Sequence, residues 1–411
     1  MYQHRHIEEK LKALVAFFKV ILLTGARQVG KSTLLETLFP DYPRFVFDPL
    51  EDLWRAREDP ALFLSSHPPP IILDEIQYSP QILPGIKRLC DQRDDKGLYF
   101  LTGSQNFSLM KNVAESMSGR VVLLELSGMT PFEHQNQLKN HWLNVLVETP
   151  LALQARFQAP LSLPCNLYEL ILKGGFPEAW VLPQIHLRDF YQSYFSTYIE
   201  RDVRLQEDLK NLTDFIRFTR LAAALSSQEI HYQQLGREIG IHVETAQKWL
   251  TVLEKSYQWQ ALPPFHRNTI KRISKKPKGH FGDTGLACSL LGIHTPEVLS
   301  GHPMLGHLFE TYVFNLVRAL NQSLDYPGEL FHFRSHGGAE VDLLLSQGNR
   351  FFPMEVKCKT QLSRHDARGI HAFIETYPDL DVPLGLILYP GERCFYVTEK
   401  VLALPYLALM G

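Results

Sequence analysis

Short apolar runs separated by polar segments dominate the N-terminal third of the chain. Such runs occur at 20–23, 71–73, 98–101 and 121–124, and each is followed at once by a polar residue. Runs of this length without a charged residue are typical of strands buried on both faces of a parallel sheet. The pattern therefore predicts an α/β sheet, with a helix after the first run and another, at 108–117, before the last.

The segment after the first run carries the pattern GxxxxGKS and continues into an apolar helix. A strand, a glycine-rich turn and a helix form a phosphate-binding P-loop, because the freed N–H groups and the helix N-terminus point at the anion. Lys31 can reach the outer phosphates of a nucleoside triphosphate, and the Ser32 hydroxyl can ligate Mg²⁺. The predicted nucleotide-binding residues are Gly25, Ala26, Arg27, Gln28, Val29, Gly30, Lys31, Ser32 and Thr33.

Polar residues also follow the second and third runs, at the sheet edge where ligands of open α/β sheets bind. Asp74 is placed to hold Mg²⁺, directly or through water, and Glu75 to orient and deprotonate the attacking water. Ser104, Gln105 and Asn106 end the third run, and each is a candidate for sensing the γ-phosphate or positioning water. The sequence thus predicts hydrolysis rather than nucleotide binding alone.

Arg120 comes directly before the fourth run. One interpretation is an arginine finger or sensor that brings positive charge to the transition state. The other is a surface arginine at a turn, which is a common and energetically minor role. The sequence leaves both open.

Composition and charge narrow the class of protein. A chain of 411 residues with 45% hydrophobic and 21% charged residues is expected to form two or three ordinary globular domains. The net charge of −2 gives no overall signature of nucleic-acid binding, so any basic surface must be local. Five cysteines without a CxxC pair fit a reducing compartment, and no segment is suited to cross a bilayer. We expect a cytoplasmic protein without a membrane partner.

Residues 230–257 have the spacing of a helix-turn-helix. The first helix carries Leu235 and Ile239 one turn apart and ends at Gly240, and the basic stretch at 257–278 could form a wing. One interpretation is DNA contact; the other is a protein-binding or lid module with a solvated basic loop. The residues expected to face inward are Ala246, Trp249, Leu250 and Leu253, and those expected to face DNA are Glu244, Thr245, Gln247, Lys248, Lys271, Arg272, Lys275, Lys276 and Lys278.

The C-terminal third predicts a helix at 306–320 followed by strands, two of which form a hairpin around 347–349. Because a strand alternates its side chains between two faces, Glu355 and Lys357 share one face, and Asp342 can lie near them on the adjoining strand.

An acid followed by acid-x-lysine on neighbouring strands resembles the PD-(D/E)XK nuclease core, although Val341 stands where that motif has its proline. The resemblance implies that Asp342 and Glu355 ligate Mg²⁺, that Glu310 completes the set, and that Lys357 positions or activates water. The alternative is a charged hairpin with an exposed carboxylate–lysine pair.

The stretches GARQVGKSTLL, IILDEIQ, LTGSQNFSLM and ESMSGRVVLLELSGMTPFE resemble bacterial and archaeal AAA-type ATPases that carry a C-terminal domain of unknown function. The resemblance continues through GGFP at 174–177 and YIERDV at 198–203. It implies ATP as the nucleotide, a parallel sheet with a central P-loop strand, and a helical lid over 168–209. Within that lid, Arg201 is either a sensor-like arginine or part of a surface salt bridge.

We therefore predict an α/β P-loop NTPase domain of AAA type at 1–150, a helical lid at 151–220, a winged helix-turn-helix module at 221–280, and a PD-(D/E)XK-like domain at 281–411. The expected function is Mg²⁺-dependent ATP hydrolysis coupled to a nucleic-acid-facing module, with DNA contacted through 230–278 and 310–360. The alternatives are an ATP-gated DNA nuclease and a non-enzymatic, ATP-switched protein-binding regulator. An arginine acting on a neighbour's nucleotide would require a homo-oligomer.

Overall fold

The computed structural model describes residues 2–47, 57–105, 119–136, 141–157, 166–199, 203, 211–268, 276–335, 337–406 and 408. The chain divides into two compact units, Met1–Met129 with Glu254–Tyr257, and Thr130–Leu253 with Gln258–Gly411. The helix predicted at 108–117 lies outside the described residues. Within them, no helix is long and apolar enough to cross a bilayer. The division into four segments stays a prediction.

The first unit is an α/β layer built on the apolar runs. Its strands are β1 (Val20–Thr24), β2 (Arg44–Val46), β3 (Ile71–Asp74), β4 (Tyr99–Gly103) and β5 (Val121–Glu125), and its helices are α1 (Glu8–Val15), α2 (Lys31–Leu38), α3 (Pro60–Ser66) and α4 (Leu83–Asp91). Short 3₁₀ helices cover Ile76–Tyr78 and Pro80–Ile82.

These strands form one sheet in the order β2-β3-β4-β1-β5, and every pairing in it is parallel. The predicted parallel sheet is confirmed, and the P-loop strand β1 lies inside it between β4 and β5. All residues of β1, β3 and β4 are buried, which agrees with the mostly apolar sequences of these strands. The sheet order brings the carboxyl ends of β1, β3 and β4 to one edge.

The remainder of the chain is mixed. Its helices are α5 (Pro131–His134), α6 (Trp142–Glu148), α7 (Leu153–Arg156), α8 (Leu167–Lys173), α9 (Pro177–Val181), α10 (Leu187–Tyr198), α11 (Leu212–Ala224), α12 (Tyr232–Ile239), α13 (Val243–Lys255), α14 (Thr284–Leu290), α15 (Pro296–Ser300), α16 (Leu305–Ser323) and α17 (Arg368–Thr376). Its strands are β6 (Gln228–Glu229), β7 (Trp259–Leu262), β8 (Lys278–Phe281), β9 (Glu329–Arg334), β10 (Glu340–Gln347), β11 (Arg350–Val356), β12 (Gly385–Tyr389), β13 (Phe395–Thr398) and β14 (Val401–Pro405). Further 3₁₀ helices cover Pro150–Ala152, Gln184–His186 and Arg364–Ala367.

The two helices predicted from 230–257 are present as α12 and α13. Gly240 ends α12 with a left-handed φ of 83°, a conformation that glycine adopts without steric cost. The residues predicted to face inward, Ala246, Trp249, Leu250 and Leu253, are all buried. The short strands β6, β8 and β7 form one antiparallel sheet in that order.

The C-terminal strands form a six-stranded mixed sheet in the order β13-β14-β12-β11-β10-β9. The predicted hairpin is confirmed, because β10 and β11 pair antiparallel and Gln347 stands opposite Arg350. Helix α17 buries Ile370 and Phe373 in the apolar core of this sheet. The sheet thus fixes the neighbouring strands that carry Asp342 and Glu355.

Asp283 joins two motifs that are distant in the sequence. Its buried carboxylate caps α14 by accepting the Leu286 N–H at 2.8 Å, and it also accepts the Gly175 N–H at 2.6 Å. Gly174 has a φ of 59°, and a Cβ there would lie 2.5 Å from the same carboxylate. The backbone of the GGFP stretch at 174–177 therefore packs directly against this carboxylate and donates a hydrogen bond to it.

We expect Asp283→Ala to lower the free energy of unfolding by about 3 kcal/mol, because two buried N–H groups lose their acceptor and α14 loses its cap. Thermal unfolding followed by circular dichroism measures the effect. Asp325→Ala, at an exposed position, is the control and should leave the midpoint unchanged. Equal midpoints for the two variants would contradict the role given to Asp283.

Candidate functional site

The loop between β1 and α2 has a backbone that only glycine permits at its first position. Gly25 has a φ of 147°, and a Cβ there would lie 2.2 Å from the Leu126 carbonyl oxygen. Gly30 is left-handed at the N-terminus of α2, and Gln28 is left-handed within the loop. Successive turns of this kind direct backbone N–H groups to one side, which is the property that binds phosphate.

Two basic side chains hold the loop in this shape. The Lys31 ammonium donates to the carbonyl oxygens of Gly25 at 2.9 Å and Ala26 at 2.8 Å. Arg5, which the sequence did not single out, is buried and donates to Val29 O and Ser127 O, both at 2.7 Å. The loop is therefore fixed by its own lysine on one side and by the N-terminal segment on the other.

Asp74 ends β3 beside the start of α2, as the sequence predicted. Its carboxylate is buried and accepts hydrogen bonds from the Ser32 hydroxyl at 2.7 Å and from the Thr102 hydroxyl. Arg44, on the neighbouring strand β2, donates to the same carboxylate from Nε at 3.2 Å. Ser32 lies on α2, Thr102 on β4 and Arg44 on β2. Because β3 lies between β2 and β4, Thr102 and Arg44 reach Asp74 from opposite sides.

The charge state of Asp74 follows from these contacts. Burial acts to raise its pKa, but the hydrogen bonds from Thr102, Ser32 and Arg44, with the charge of Arg44, hold that pKa below its usual value. An ionised carboxylate next to the hydroxyl of a P-loop serine is an oxygen donor pair that suits Mg²⁺. The residues present therefore fit the metal that the sequence predicts.

Glu75 belongs to a second polar network at the same edge. It is left-handed, with a φ of 59°, and its N–H donates to the Thr102 hydroxyl at 3.1 Å. The Gln77 amide donates to the Glu75 carboxylate and also to the Ser104 hydroxyl at 3.0 Å. The structure thus brings Glu75 and Ser104 together through Gln77, while Asn106 lies outside the described residues.

Three residues that contact the site were not predicted from the sequence: Thr102, Gln77 and Arg44. Thr102 is a polar residue in an otherwise apolar strand, and that signal was available. Arg44 offered none, because its contact with Asp74 depends on β2 and β3 being neighbours.

The structure corrects the predicted place of Arg120. Val121 stands opposite Val20, at the start of β1, whereas the P-loop follows Thr24 at the other end of a five-residue strand. Such a strand is about 16 Å long. Arg120 instead pairs with exposed Asp91, at 3.0 Å from Nε to Oδ1. Arg120 therefore lies too far from the P-loop of its own chain to contact a γ-phosphate bound there. Contact with a γ-phosphate bound to a neighbouring subunit stays a prediction.

The residues predicted to face DNA are only partly described. Glu244, Gln247 and Lys248 are exposed on α13, and Thr245 is half-buried. Lys276 is exposed, and its ammonium lies 2.9 Å from His231 Nδ1. Arg201, Lys271, Arg272 and Lys275 lie outside the described residues.

Lys278, which was predicted to face DNA, is instead part of the C-terminal carboxylate cluster. This cluster consists of Glu310 on α16, Asp342 on β10, Glu355 on β11, Lys357 after β11, and Lys278 on β8. The Lys278 ammonium contacts the Glu310 carboxylate and lies 3.2 Å from Asp342 Oδ1. The Lys357 ammonium lies 2.7 Å from Glu355 Oε2, and the Val356 N–H donates to Asp342 Oδ2 at 2.9 Å.

The pKa values in this cluster move in opposite directions. Burial and then the charge of Asp342 raise the pKa of Glu310 to about 8, and burial followed by the same charge raises that of Glu355 well above its usual value. Burial would also raise the pKa of Asp342, but Lys278 and Lys357 hold it below its usual value. Asp342 is therefore the most acidic of the three carboxyl groups, since Lys278 and Lys357 both lower its pKa.

The predicted Mg²⁺ site at Glu310, Asp342 and Glu355 stays a prediction, and the structure shows lysine contacts at these residues. The three carboxyl groups do converge, but each is paired with a lysine. In the parts of the chain that the structure describes, no group of three or more acids, histidines or cysteines could hold a metal ion. The cluster in this structure is a set of ion pairs.

The parallel sheet, the loop after β1 and the acid at the end of β3 together give the first unit the architecture of a P-loop domain. Residues 17–134 match the AAA domain, residues 165–297 a domain of unknown function (DUF8612), and residues 305–409 another domain of unknown function (DUF4143). The match to the AAA domain agrees with the predicted class, and the two other matches assign no activity.

The proteins that are similar in sequence match nearly the whole chain, but they have no assigned function. The chain is 27% identical over 407 residues to the uncharacterized proteins Rv2008c of Mycobacterium tuberculosis and Mb2031c of Mycobacterium bovis, which covers 98% of this chain and 84% of theirs. A Walker-type ATPase of Pyrococcus abyssi is 14% identical, with 71% of this chain and 96% of that one covered and a TM-score of 0.40. The Holliday junction branch migration motor RuvB of Thermotoga maritima is 15% identical, with 64% and 90% covered and a TM-score of 0.31. At these TM-scores neither structure informs the fold of this chain.

The P-loop geometry predicts that Gly25→Ala destabilises the first unit by at least about 3 kcal/mol, because the new Cβ meets the Leu126 carbonyl in a strained backbone. Hydrogen exchange of peptides from β1 and β4 measures the local loss.

Gly119→Ala is the matched control. Gly119 also has a positive φ, of 75°, but no atom lies within 4 Å of its added Cβ. It should cost only the backbone strain, about 1 kcal/mol. Equal protection in the two variants would show that close packing does not restrict position 25.

Proposed function

We propose that the protein binds ATP at the P-loop of its first unit and hydrolyses it with Mg²⁺. The observation that carries the proposal is the hydrogen bond of 2.7 Å between the Ser32 hydroxyl and the Asp74 carboxylate, with Glu75 next in sequence. It joins the phosphate-binding loop to the acidic strand end in one place, as Mg²⁺-dependent phosphoryl transfer requires.

Each side chain has a separate role in this proposal. The N–H groups of the loop at 25–30 bind the phosphates, and the Lys31 ammonium moves from carbonyl oxygens to the outer phosphates. Ser32 and Asp74 would hold Mg²⁺, which supplies positive charge to the phosphate oxygens. Glu75 orients the attacking water and accepts its proton, while Gln77 and Ser104 fix the Glu75 carboxylate.

We further propose that this ATPase acts on DNA through the winged helix-turn-helix module predicted at 221–280, with contacts within 230–278. The helix pair α12 and α13, followed by β7 and β8, supports the proposal, and Gln247 and Lys248 are exposed on α13. Proteins of this type bind DNA through phosphate contacts and side chains of that helix. Among the residues that the structure describes, no contact favours the ATP-gated nuclease or the protein-binding regulator.

Lys31→Ala should abolish binding of a fluorescent ATP analogue, since the outer phosphates lose their cation. Glu75→Gln should bind the analogue with unchanged affinity but hydrolyse ATP at least about 100-fold more slowly, because the general base is lost. Glu58→Gln, at an exposed carboxylate, is the control for loss of one negative charge. Normal turnover by Glu75→Gln would exclude Glu75 as the base.

For the DNA proposal, we expect Lys248→Ala to weaken binding to duplex DNA and to reduce the slope of log affinity against log salt by about 0.9, the effect of one lost phosphate contact. Fluorescence anisotropy over a salt series measures both values. Lys400→Ala, at an exposed lysine in the C-terminal sheet, should change neither. Absence of duplex binding by the wild type at low salt would overturn the DNA proposal without affecting the ATPase proposal.

A further inference from the structure

Lys278 occupies a position that the backbone fixes from both sides. It opens β8, the middle strand of its sheet, where it stands opposite Glu229 of β6 and Leu262 of β7. Its side chain is 10% exposed, so the ammonium cannot simply turn into solvent. A buried ammonium persists only where carboxylates or other acceptors replace its water.

The acceptors of Lys278 are two of the three carboxylates that the sequence assigned to a metal. Glu310 and Asp342 lie on different elements, α16 and β10, and Lys278 contacts both. Their side chains are only 15% and 11% exposed. One ammonium group therefore lies between these two carboxylates and contacts both.

Two further acceptor atoms of the cluster are also engaged. Asp342 Oδ2 accepts the Val356 N–H at 2.9 Å, and Glu355 Oε2 is 2.7 Å from Lys357 Nζ. A hard divalent cation needs several carboxylate oxygens that are not already neutralised. If all three carboxyl groups were ionised, the two ammonium groups would leave the cluster a net charge of −1.

We propose that Lys278 is the resident cation of this cluster, and that the cluster is a metal-independent joint that fixes β8 to α16 and β10. The C-terminal sheet consequently needs no divalent cation for its stability and offers none to a phosphodiester. The joint acts in the second unit, so it holds whether or not the first unit hydrolyses ATP.

The cluster forms part of the wall of a cavity of about 380 Å³. Ions of the size of Mn²⁺ can therefore be tested directly, without unfolding the protein. Mn²⁺ serves as the probe because its electron paramagnetic resonance signal reports bound and free ion.

The first test uses nucleotide-free wild-type protein and Asp342→Asn. We expect both to bind the same amount of Mn²⁺, because Asp342 is satisfied by Lys278 and a backbone N–H. We also expect the wild-type unfolding midpoint to be the same in Mn²⁺ and in EDTA, once any Mn²⁺ effect retained by Asp342→Asn is subtracted. A wild-type Mn²⁺ site that disappears in Asp342→Asn would overturn the proposal.

The second test removes the lysine. Lys278→Met should unfold several degrees lower than wild type in EDTA, and Mn²⁺ should restore part of that loss by binding the freed carboxylates. Lys278→Arg, which keeps the cation, should lose less. Lys400→Met, at an exposed lysine in the turn between β13 and β14, should behave as wild type. A Lys278→Met protein with the wild-type midpoint and no gain in Mn²⁺ binding would show that Lys278 is not the cation of the cluster.

Discussion

A carboxylate that is buried away from water stays ionised only where hydrogen-bond donors or cations take the place of that water. Asp74 and Asp342 both meet this requirement in the same way. Each lies on a strand of a sheet, and each is held by side chains from neighbouring elements. Asp283 differs, because burial raises its pKa although it accepts two backbone N–H groups. The local structure of each site is therefore organised around a buried acid.

At Asp74 the requirement gives the sheet order its chemical meaning. Because β3 lies between β2 and β4, Arg44 and Thr102 reach the carboxylate from opposite sides. Ser32 approaches from the first turn of α2. The same contacts that stabilise an ionised Asp74 leave it beside the P-loop, which is where an acid must lie to serve phosphoryl transfer. Stability and the proposed chemistry thus depend on one arrangement.

At Asp342 the same requirement is met without a metal. The spacing of Asp342, Glu355 and Lys357 resembles that of a nuclease core, and the hairpin places Asp342 and Glu355 on neighbouring strands. Lys278 comes from a strand 64 residues earlier in the chain. A single basic residue from outside a motif can therefore change what the motif does, which is why fold alone does not give function.

The parts of the structure that could be predicted are those encoded by local spacing. Each of them lies within one short stretch of sequence. They are the loop at 25–33, the two acids Asp74 and Glu75 at the end of β3, the helix pair α12 and α13, and the hairpin. Arg44 and Lys278 could not be predicted, because their partners are decided by which strands become neighbours. The direction of a parallel strand did carry a signal for Arg120, since a residue before a strand lies at the edge opposite the P-loop.

The central claim is that the P-loop and Asp74, at the end of β3, form one ATP site. A crystal structure of the Glu75→Gln protein with ATP and Mg²⁺ tests it most directly. The account predicts phosphates in the loop at 25–30, Lys31 on the outer phosphates, and Mg²⁺ held by Ser32 and, directly or through water, by Asp74. Nucleotide bound elsewhere, or Mg²⁺ placed away from both Ser32 and Asp74, would contradict it.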